Sequence, residues 1–310
     1  MTAQWKNKDI PDQSGKVVIV TGGNSGIGYE AGLALAGKNA QVILAVRSLD
    51  KGEESTQAIR QLYPKAQAVA AVLDLADLKS IRVFADAFLA KYKRLDILIN
   101  NAGVMALPKR KTADGFEMQF GTNHLGHFAL TGLLLPVLKA TSNARVVTVS
   151  SFVHTSGDIQ FEDLQWEKKY ERWSAYAQSK LANLLFTYEL QRRFVAAGIH
   201  AISVGCHPGY AATNLQFAGP KMEGSTMRVW MMKLGNIIFA QGQDMGALPT
   251  LFAAVAPNVN GCDYIGPTSL GGMRGYPNKV MSNNKSYDEA LAKRLWQVSE
   301  ELTGVVYGFN

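Results

Sequence analysis

The sequence predicts an α/β fold: one doubly wound parallel sheet of about seven strands, with helices on both faces. Three observations predict it: short apolar runs alternating with longer helical patterns, strands with no polar face, and a glycine-rich turn directly after the first strand. Strands apolar on both faces are buried on both, and strand–helix alternation implies parallel pairing through right-handed crossovers. The 310 residues are ample for a sizeable core. No linker, low-complexity tract or repeat divides them, so one domain over 1–310 is expected.

The elements follow in order. A strand at 16–21 leads through the glycine turn into a helix at 26–37. A strand at 41–46 precedes a helix at 50–63, which Pro64 stops. A strand at 67–73, a helix at 78–92 and a strand at 95–99 come next, then one long helix over 112–139. The strand at 144–149, the helix at 173–197 and the strand at 199–205 complete the regular part. After Pro208 glycines and Pro220 punctuate Met- and aromatic-rich helices, read as a helical substrate lid after strand six. A short strand at 262–265 and a helix at 287–302 close the chain.

Composition excludes several classes. The formal charge is +7, but the 32 Lys and Arg are scattered, and the densest patch, Lys109-Arg110-Lys111, is short. Without a clustered basic face interleaved with aromatics, no nucleic-acid partner is expected; a basic enzyme with an anionic cofactor fits better. Cys206 and Cys262, in β-like apolar surroundings, read as buried thiols of a reducing compartment. The polar N-terminus lacks an apolar signal core and no stretch reaches membrane-span length, so a cytoplasmic protein with no integral membrane segment is expected.

The chemistry begins at Thr21-Gly-Gly-Asn-Ser-Gly-Ile-Gly28. Gly22, Gly26 and Gly28 allow a tight turn and close backbone approach to a pyrophosphate. Asn24, Ser25 and Ile27 lie in the same turn, and the helix that follows aims N–H groups and positive dipole at the phosphates. Placed after an N-terminal buried strand, this is a dinucleotide site, with the cofactor-binding half in 1–150 and the catalytic and substrate-binding half in 151–310. The second signal is Tyr176 and Lys180, four apart and so on one helix face. An ammonium ~4 Å from the phenol, at an effective dielectric of ~20, is worth ~4 kcal/mol. That lowers a tyrosine from about 10 to near neutrality, where it can give or take a proton.

The spacing Thr-Gly-x-x-x-Gly-Ile-Gly, then Asn100-Asn-Ala-Gly103, Ser151, Tyr176 and Lys180, resembles the short-chain dehydrogenase/reductase family, with its Rossmann-type sheet. Within it the chain looks most like the retinol-dehydrogenase-like and protochlorophyllide-reductase-like branch. That likeness lies in the run from Asp9 to Gly22, Thr122-Asn-His-Leu-Gly-His-Phe128, Ser179-Lys-Leu-Ala-Asn183 and His207-Pro-Gly209. The resemblance implies a catalytic set of Asn123, Ser151, Tyr176 and Lys180. Tyr176 would be the general acid/base, and Ser151 would hold the substrate oxygen. Lys180 would bind the nicotinamide ribose and lower the tyrosine, and Asn123 would hold a relay water. Ser150 rivals Ser151, since adjacent strand residues face opposite ways; alignment with the family favours Ser151. The resemblance also puts Asp74 and Leu75 beside adenine, and Asn101, with Ala102 and Gly103, along the adenosine side. Pro208, Gly209, Ala211 and Thr213 would line the nicotinamide.

Cofactor choice has a physical argument. A carboxylate ending the second strand selects NAD, a cation NADP. Here the strand ends in Arg47-Ser48 with no acid before Asp50; Arg47, with Ser25 and Lys51, can pair with a 2′-phosphate. NADP(H) is the expected cofactor. The segment between Ser151 and Tyr176 either borders the site or covers the sheet edge. His154 in it reads as a surface histidine, with substrate contact the alternative. His124 and His127 share a spacing that metal ligands use, but helix packing accounts for them better. The Met- and aromatic-rich stretch 215–239 is either an apolar lid over a lipophilic carbonyl or a core or interface pair of helices. The expected activity is hydride transfer between NADP(H) and a hydrophobic ketone or aldehyde, as alcohol dehydrogenase or carbonyl reductase. Alternatives are carbon–carbon double-bond reduction and a non-catalytic NADP-binding sensor. Oligomeric state is open between monomer, homodimer and homotetramer.

Overall fold

A computed structural model describes residues 4–210 and 241–309. The 215–239 stretch, Ala211 and Thr213 lie outside the described residues. The strands are β1 (Val17–Thr21), β2 (Gln41–Val46), β3 (Gln67–Val72), β4 (Ile97–Asn100), β5 (Ala144–Val149), β6 (Ala201–Cys206), β7 (Tyr264–Ser269) and β8 (Arg274–Val280). They form one eight-stranded sheet in the order β3-β2-β1-β4-β5-β6-β7-β8. Pairing is parallel through β7, and β8 returns antiparallel as the edge.

The expected parallel sheet of about seven strands is present, and β8 adds an antiparallel edge strand to it. β8 carries Gly275 and Pro277 and no apolar alternation, so its sequence reads as loop. Proline is tolerated there because an edge strand has amides that need no ladder partner.

The helices that cover the sheet are α1 (Gly26–Ala36), α2 (Leu49–Leu62), α3 (Leu78–Lys91), α4 (Gly126–Leu133), α5 (Leu135–Ala140), α6 (Arg172–Ala196), α7 (Gln243–Val255) and α8 (Glu289–Thr303). Alternating residues of β1 serve two cores. Val18 and Val20 pack with Leu35 of α1 and Leu251 of α7. Val17 and Ile19 belong with Phe84 of α3, Phe128 of α4, Phe186 of α6 and Trp296 of α8. Burial on both faces, at ~1.5–3 kcal/mol per large apolar side chain, is why these strands carry no polar face.

The single helix expected over 112–139 is corrected. Helical structure begins at Met118–Phe120, passes through a π turn at Gly121–Leu125, and continues as α4 and α5. Across that turn the Gly126 N–H bonds to the Gly121 carbonyl, five residues back. Thr112 instead belongs to a turn that its own backbone closes with Phe116. Among the described residues no helix is long and apolar enough to cross a membrane. Cys206 is buried against Thr250, whereas Cys262 is only half-buried and precedes β7 rather than lying in it.

Candidate active site

β2 and β3 lie on one side of β1, and β4 on the other, so the chain reverses direction across the sheet between β1 and β4. In open α/β sheets the crevice beyond the strand ends at such a reversal receives the ligand. The turn after β1 and the turn after β4 meet there.

Gly22 and Gly26 hold φ of 66° and 58°, the left-handed region that favours glycine. Gly28 is required for another reason: a Cβ there would meet the Asn101 side chain and the Gly22 carbonyl oxygen. Ser25 caps α1 without committing its side chain to the helix, and the first turn carries no acid. Its hydroxyl and the leading N–H groups remain available to an anion. Across the crevice, the Asn101 side chain donates to the Thr21 carbonyl at 2.8 Å. The Thr21 hydroxyl accepts from the backbone N–H of Asn101 and of Ala102, both at 2.9 Å.

Arg47, Ser48 and Lys51 are exposed where β2 ends, and Arg47 makes no ion pair among the described residues. Asp74 turns its carboxylate onto the Ala76 N–H at 2.9 Å, and the backbone of Leu75 lies where a Cβ of Gly126 would be. Pro208 and Gly209 follow β6. Gly209 has a φ of 68° and packs on the backbone of Met273, and the Pro208 carbonyl accepts from Gln241 at 2.8 Å. Gln241 and Met273 thus shape this wall. The sequence carried no signal for them, because their part depends on β8 closing the sheet edge.

The four residues expected to act together do converge. Tyr176 and Lys180 are buried on one face of α6, with Nζ 5.7 Å from the phenol ring centroid. Lys180 donates to the Val149 carbonyl at 3.1 Å, and Asn183 donates to the same oxygen at 3.1 Å. An ammonium has three hydrogens, so Lys180 keeps donors for a ligand. A Cβ on Gly103 would lie 3.0 Å from Asn123 Oδ1, so this glycine lets the turn after β4 approach Asn123, with Lys180 Nζ in ordinary contact range beyond. Ser151 is the hydrogen-bond neighbour of the Tyr176 phenol. Ser150 points elsewhere, donating to the Lys180 carbonyl at 2.8 Å. Asn123 sits in the π turn. Its side chain accepts from Val104 N and donates to the Val104 carbonyl and to Ser179, at 2.8–2.9 Å. Both amide hydrogens are engaged, which leaves one lone pair of Oδ1 for a relay water.

Electrostatics correct the simplest sequence argument. Burial pushes the Tyr176 phenol up to about 12, only partly opposed by its bond to Ser151. Burial pushes Lys180 down to about 8. Attraction within the pair is outweighed because removal from water penalises both charged forms. At neutral pH Tyr176 therefore holds its proton, as a donor must.

His154 is not a surface histidine. It is buried, its Nδ1 lies 2.7 Å from the Ser151 carbonyl, and its Nε2 accepts from Asn283 N at 3.2 Å. It ties the serine to the chain before α8, and the segment after Ser151 thus borders the site. His124 and His127 turn to different partners, Ser299 and Thr21. In the basic patch, Lys109 and Lys111 both pair with Glu167.

These residues fit a nicotinamide dinucleotide: two turns that approach closely through glycines, a helix start whose N-cap side chain makes no bond to the helix, and a buried lysine with spare donors. A family model for short chain dehydrogenase matches residues 16–223. The chain belongs to the short-chain dehydrogenase/reductase family and is an oxidoreductase. Within the family it falls in the retinol-dehydrogenase-like branch. It is 44% identical to human "Retinol dehydrogenase 12" over 94% of this chain and 87% of that one. It is 43% identical to human "Retinol dehydrogenase 13" over 94% and 85%. A crystal structure of an uncharacterized protein from Mycobacterium Paratuberculosis superposes with a TM-score of 0.81 at 40% identity, covering 99% of this chain and 100% of that one. The Pseudomonas aeruginosa RhlG/NADP complex shares the fold, with a TM-score of 0.63 at 22% identity over 82% and 94%.

Proposed function

We propose that this protein is an NADP(H)-dependent alcohol dehydrogenase or carbonyl reductase acting on a hydrophobic aldehyde or ketone. The observation that carries this reading is the buried, protonated Tyr176 beside Ser151, within reach of a lysine that retains donors. When bound, the nicotinamide supplies or accepts the hydride. In the reducing direction Ser151 donates a hydrogen bond to the carbonyl oxygen and polarises it. The Tyr176 proton passes to that oxygen as the carbon–oxygen π bond becomes a C–H and an O–H bond. Lys180 stabilises the phenolate until solvent returns a proton through the Asn123 side of the site. Oxidation runs the same path backwards.

Arg47 supports NADP(H) over NAD(H), because a cation stands where an NAD site needs a carboxylate to hold the ribose hydroxyls. Three neighbouring features support a lipophilic substrate. Phe152, directly after Ser151, is exposed. Trp173 sits edge-on to Tyr176 at 6.2 Å and is also exposed. Leu270 and Met273, in the turn that packs on Gly209, add further exposed apolar surface. The names of the relatives point to retinol, an alcohol of that kind. The test is NADPH consumption across lipophilic and small polar aldehydes, ketones and enones, with each product identified. Alcohols from the lipophilic carbonyls are expected. Exclusive saturation of carbon–carbon bonds, or no turnover with any carbonyl, would refute the reading.

A further inference from the structure

His127 lies one helical turn after Asn123, at the start of α4, and is buried. Both of its ring nitrogens are engaged. Nδ1 is 2.9 Å from the Asn123 carbonyl oxygen, and Nε2 is 2.9 Å from the Thr21 hydroxyl. A carbonyl can only accept, so Nδ1 carries the hydrogen and Nε2 accepts from Thr21. The Thr21 hydroxyl also lies 3.3 Å from the Ile99 carbonyl; with its proton directed to the nearer His127, its oxygen offers both lone pairs to the N–H groups of Asn101 and Ala102, and Ile99 still accepts from Asn101 N at 3.0 Å. One tautomer and one hydroxyl orientation thus satisfy every group. Burial pushes the imidazole down to about 4, so it is neutral at physiological pH.

The line continues on the other side. From Asn123 the bonds run to Val104 and to Ser179, and the Ser179 hydroxyl donates to the Tyr176 carbonyl at 2.8 Å. A single imidazole therefore joins the glycine turn after β1, the turn after β4, the π turn and the first half of the catalytic helix. A π turn shifts the backbone pairing of its residues, and such turns concentrate at functional sites. Here the side chain of residue 127 secures the Asn123 carbonyl.

We propose that His127 is a positioning residue: by bonding at both ends it holds the two dinucleotide turns in register with the Asn123–Tyr176 side of the site. It touches no substrate, and acts through Thr21 on the cofactor turns and through Asn123 on the catalytic helix. This rests on the dinucleotide reading of the two turns. If the turns keep their binding geometry only about a tenth of the time without His127, cofactor affinity falls about ten-fold.

The test compares His127→Leu, which fills space without bonding, with His127→Gln, whose amide keeps a donor and an acceptor. The readouts are NADPH and NADH affinity by fluorescence titration of the folded chain, and kcat separately from KM. His127→Leu is expected to weaken both cofactors alike, by about ten-fold or more, and to lower kcat; His127→Gln is expected to recover most of the affinity. Thr21→Val removes the bond to His127 together with those from Asn101 and Ala102, so it should lose at least as much affinity as His127→Leu, and the double variant should lose less than the sum of the two. A folded His127→Leu with wild-type affinity, or a His127→Gln no better than it, overturns the proposal. Should His127→Leu fail to fold, a Thr21→Val chain that binds both cofactors like the wild type does the same. A wild-type chain that binds neither dinucleotide defeats the underlying reading, and the proposal with it. Preferential loss of NADPH alone belongs to Arg47, so the two assignments separate.

Discussion

Gly28→Ala tests the site geometry with one methyl group. A Cβ at this position would stand 2.6 Å from the Gly22 carbonyl oxygen and against the Asn101 amide nitrogen. Neither neighbour is a free side-chain end. The first is backbone in a turn held at positive φ, and the second is committed to the Thr21 carbonyl at 2.8 Å. Overpacking of this kind costs ~1–3 kcal/mol, and release of the Asn101 bond adds ~1 kcal/mol. Alanine in a helix returns about 1 kcal/mol relative to glycine. The net loss is ~1–3 kcal/mol, from the balance of those terms. For 310 residues the unfolding entropy is roughly 0.65 kcal/mol/K, so Tm should drop by roughly 2–5 °C.

Two other glycines calibrate the result. At Gly32 the added carbon crowds the tip of the Leu44 side chain, at 2.7 Å, with Val42 in ordinary contact at 3.7 Å, and at Gly308 it meets nothing within 4 Å. Stability by thermal and urea unfolding should therefore fall in the order Gly308→Ala, Gly32→Ala, Gly28→Ala. Only Gly28→Ala should also lose NADPH affinity, because relief there moves the cofactor turn itself. If Gly28→Ala matches Gly308→Ala in both Tm and NADPH binding, the close-approach argument is wrong.

Other outcomes follow from the same geometry. Tyr176→Phe should lower kcat by roughly 10²–10⁴ while leaving NADPH affinity close to wild type; unchanged turnover would remove Tyr176 as the acid. Arg47→Glu should weaken NADPH at least about ten-fold with little effect on NADH, less so at high salt, and equal losses would end the 2′-phosphate assignment. Burial pushes His124 down to about 3, and His127 and His207 to about 4, from an ordinary value of 6.5. Between those values the unfolded chain binds more protons than the folded one, so stability is full above about 6.5 and falls as pH drops towards 4. Urea midpoints at pH 7.5, 6 and 5 should decline in that order; a flat series refutes buried neutral histidines.

Where side chains belong to regular elements, sequence and structure agree closely. The strands at 41–46 and 144–149 keep their expected bounds, and the helix expected over 173–197 is Arg172–Ala196. These runs are legible because each residue's burial follows from the element's own period. The glycine turn is legible for a related reason, since only glycine meets both its conformational and its space requirements. β8 was illegible: Gly275 and Pro277 weaken it, and pairing with β7 alone makes it a strand. The π turn escaped because Gly121–Leu125 reads as ordinary helix; what marks it is Asn123 bound to Val104 and Ser179.

The sequence by itself determined the alternation of strands and helices, the dinucleotide turn and the four side chains of the candidate site. Tertiary structure alone decided their electrical state. Spacing fixes which groups can be neighbours, but the cost of charging them depends on how much water the rest of the chain excludes. Hence Tyr176 rises to about 12 where a two-body argument lowers it. Hence also His154, which reads as a surface residue in the sequence, is buried and bonded at both ring nitrogens, and His127, read as a packing residue, spends both of its ring nitrogens on hydrogen bonds.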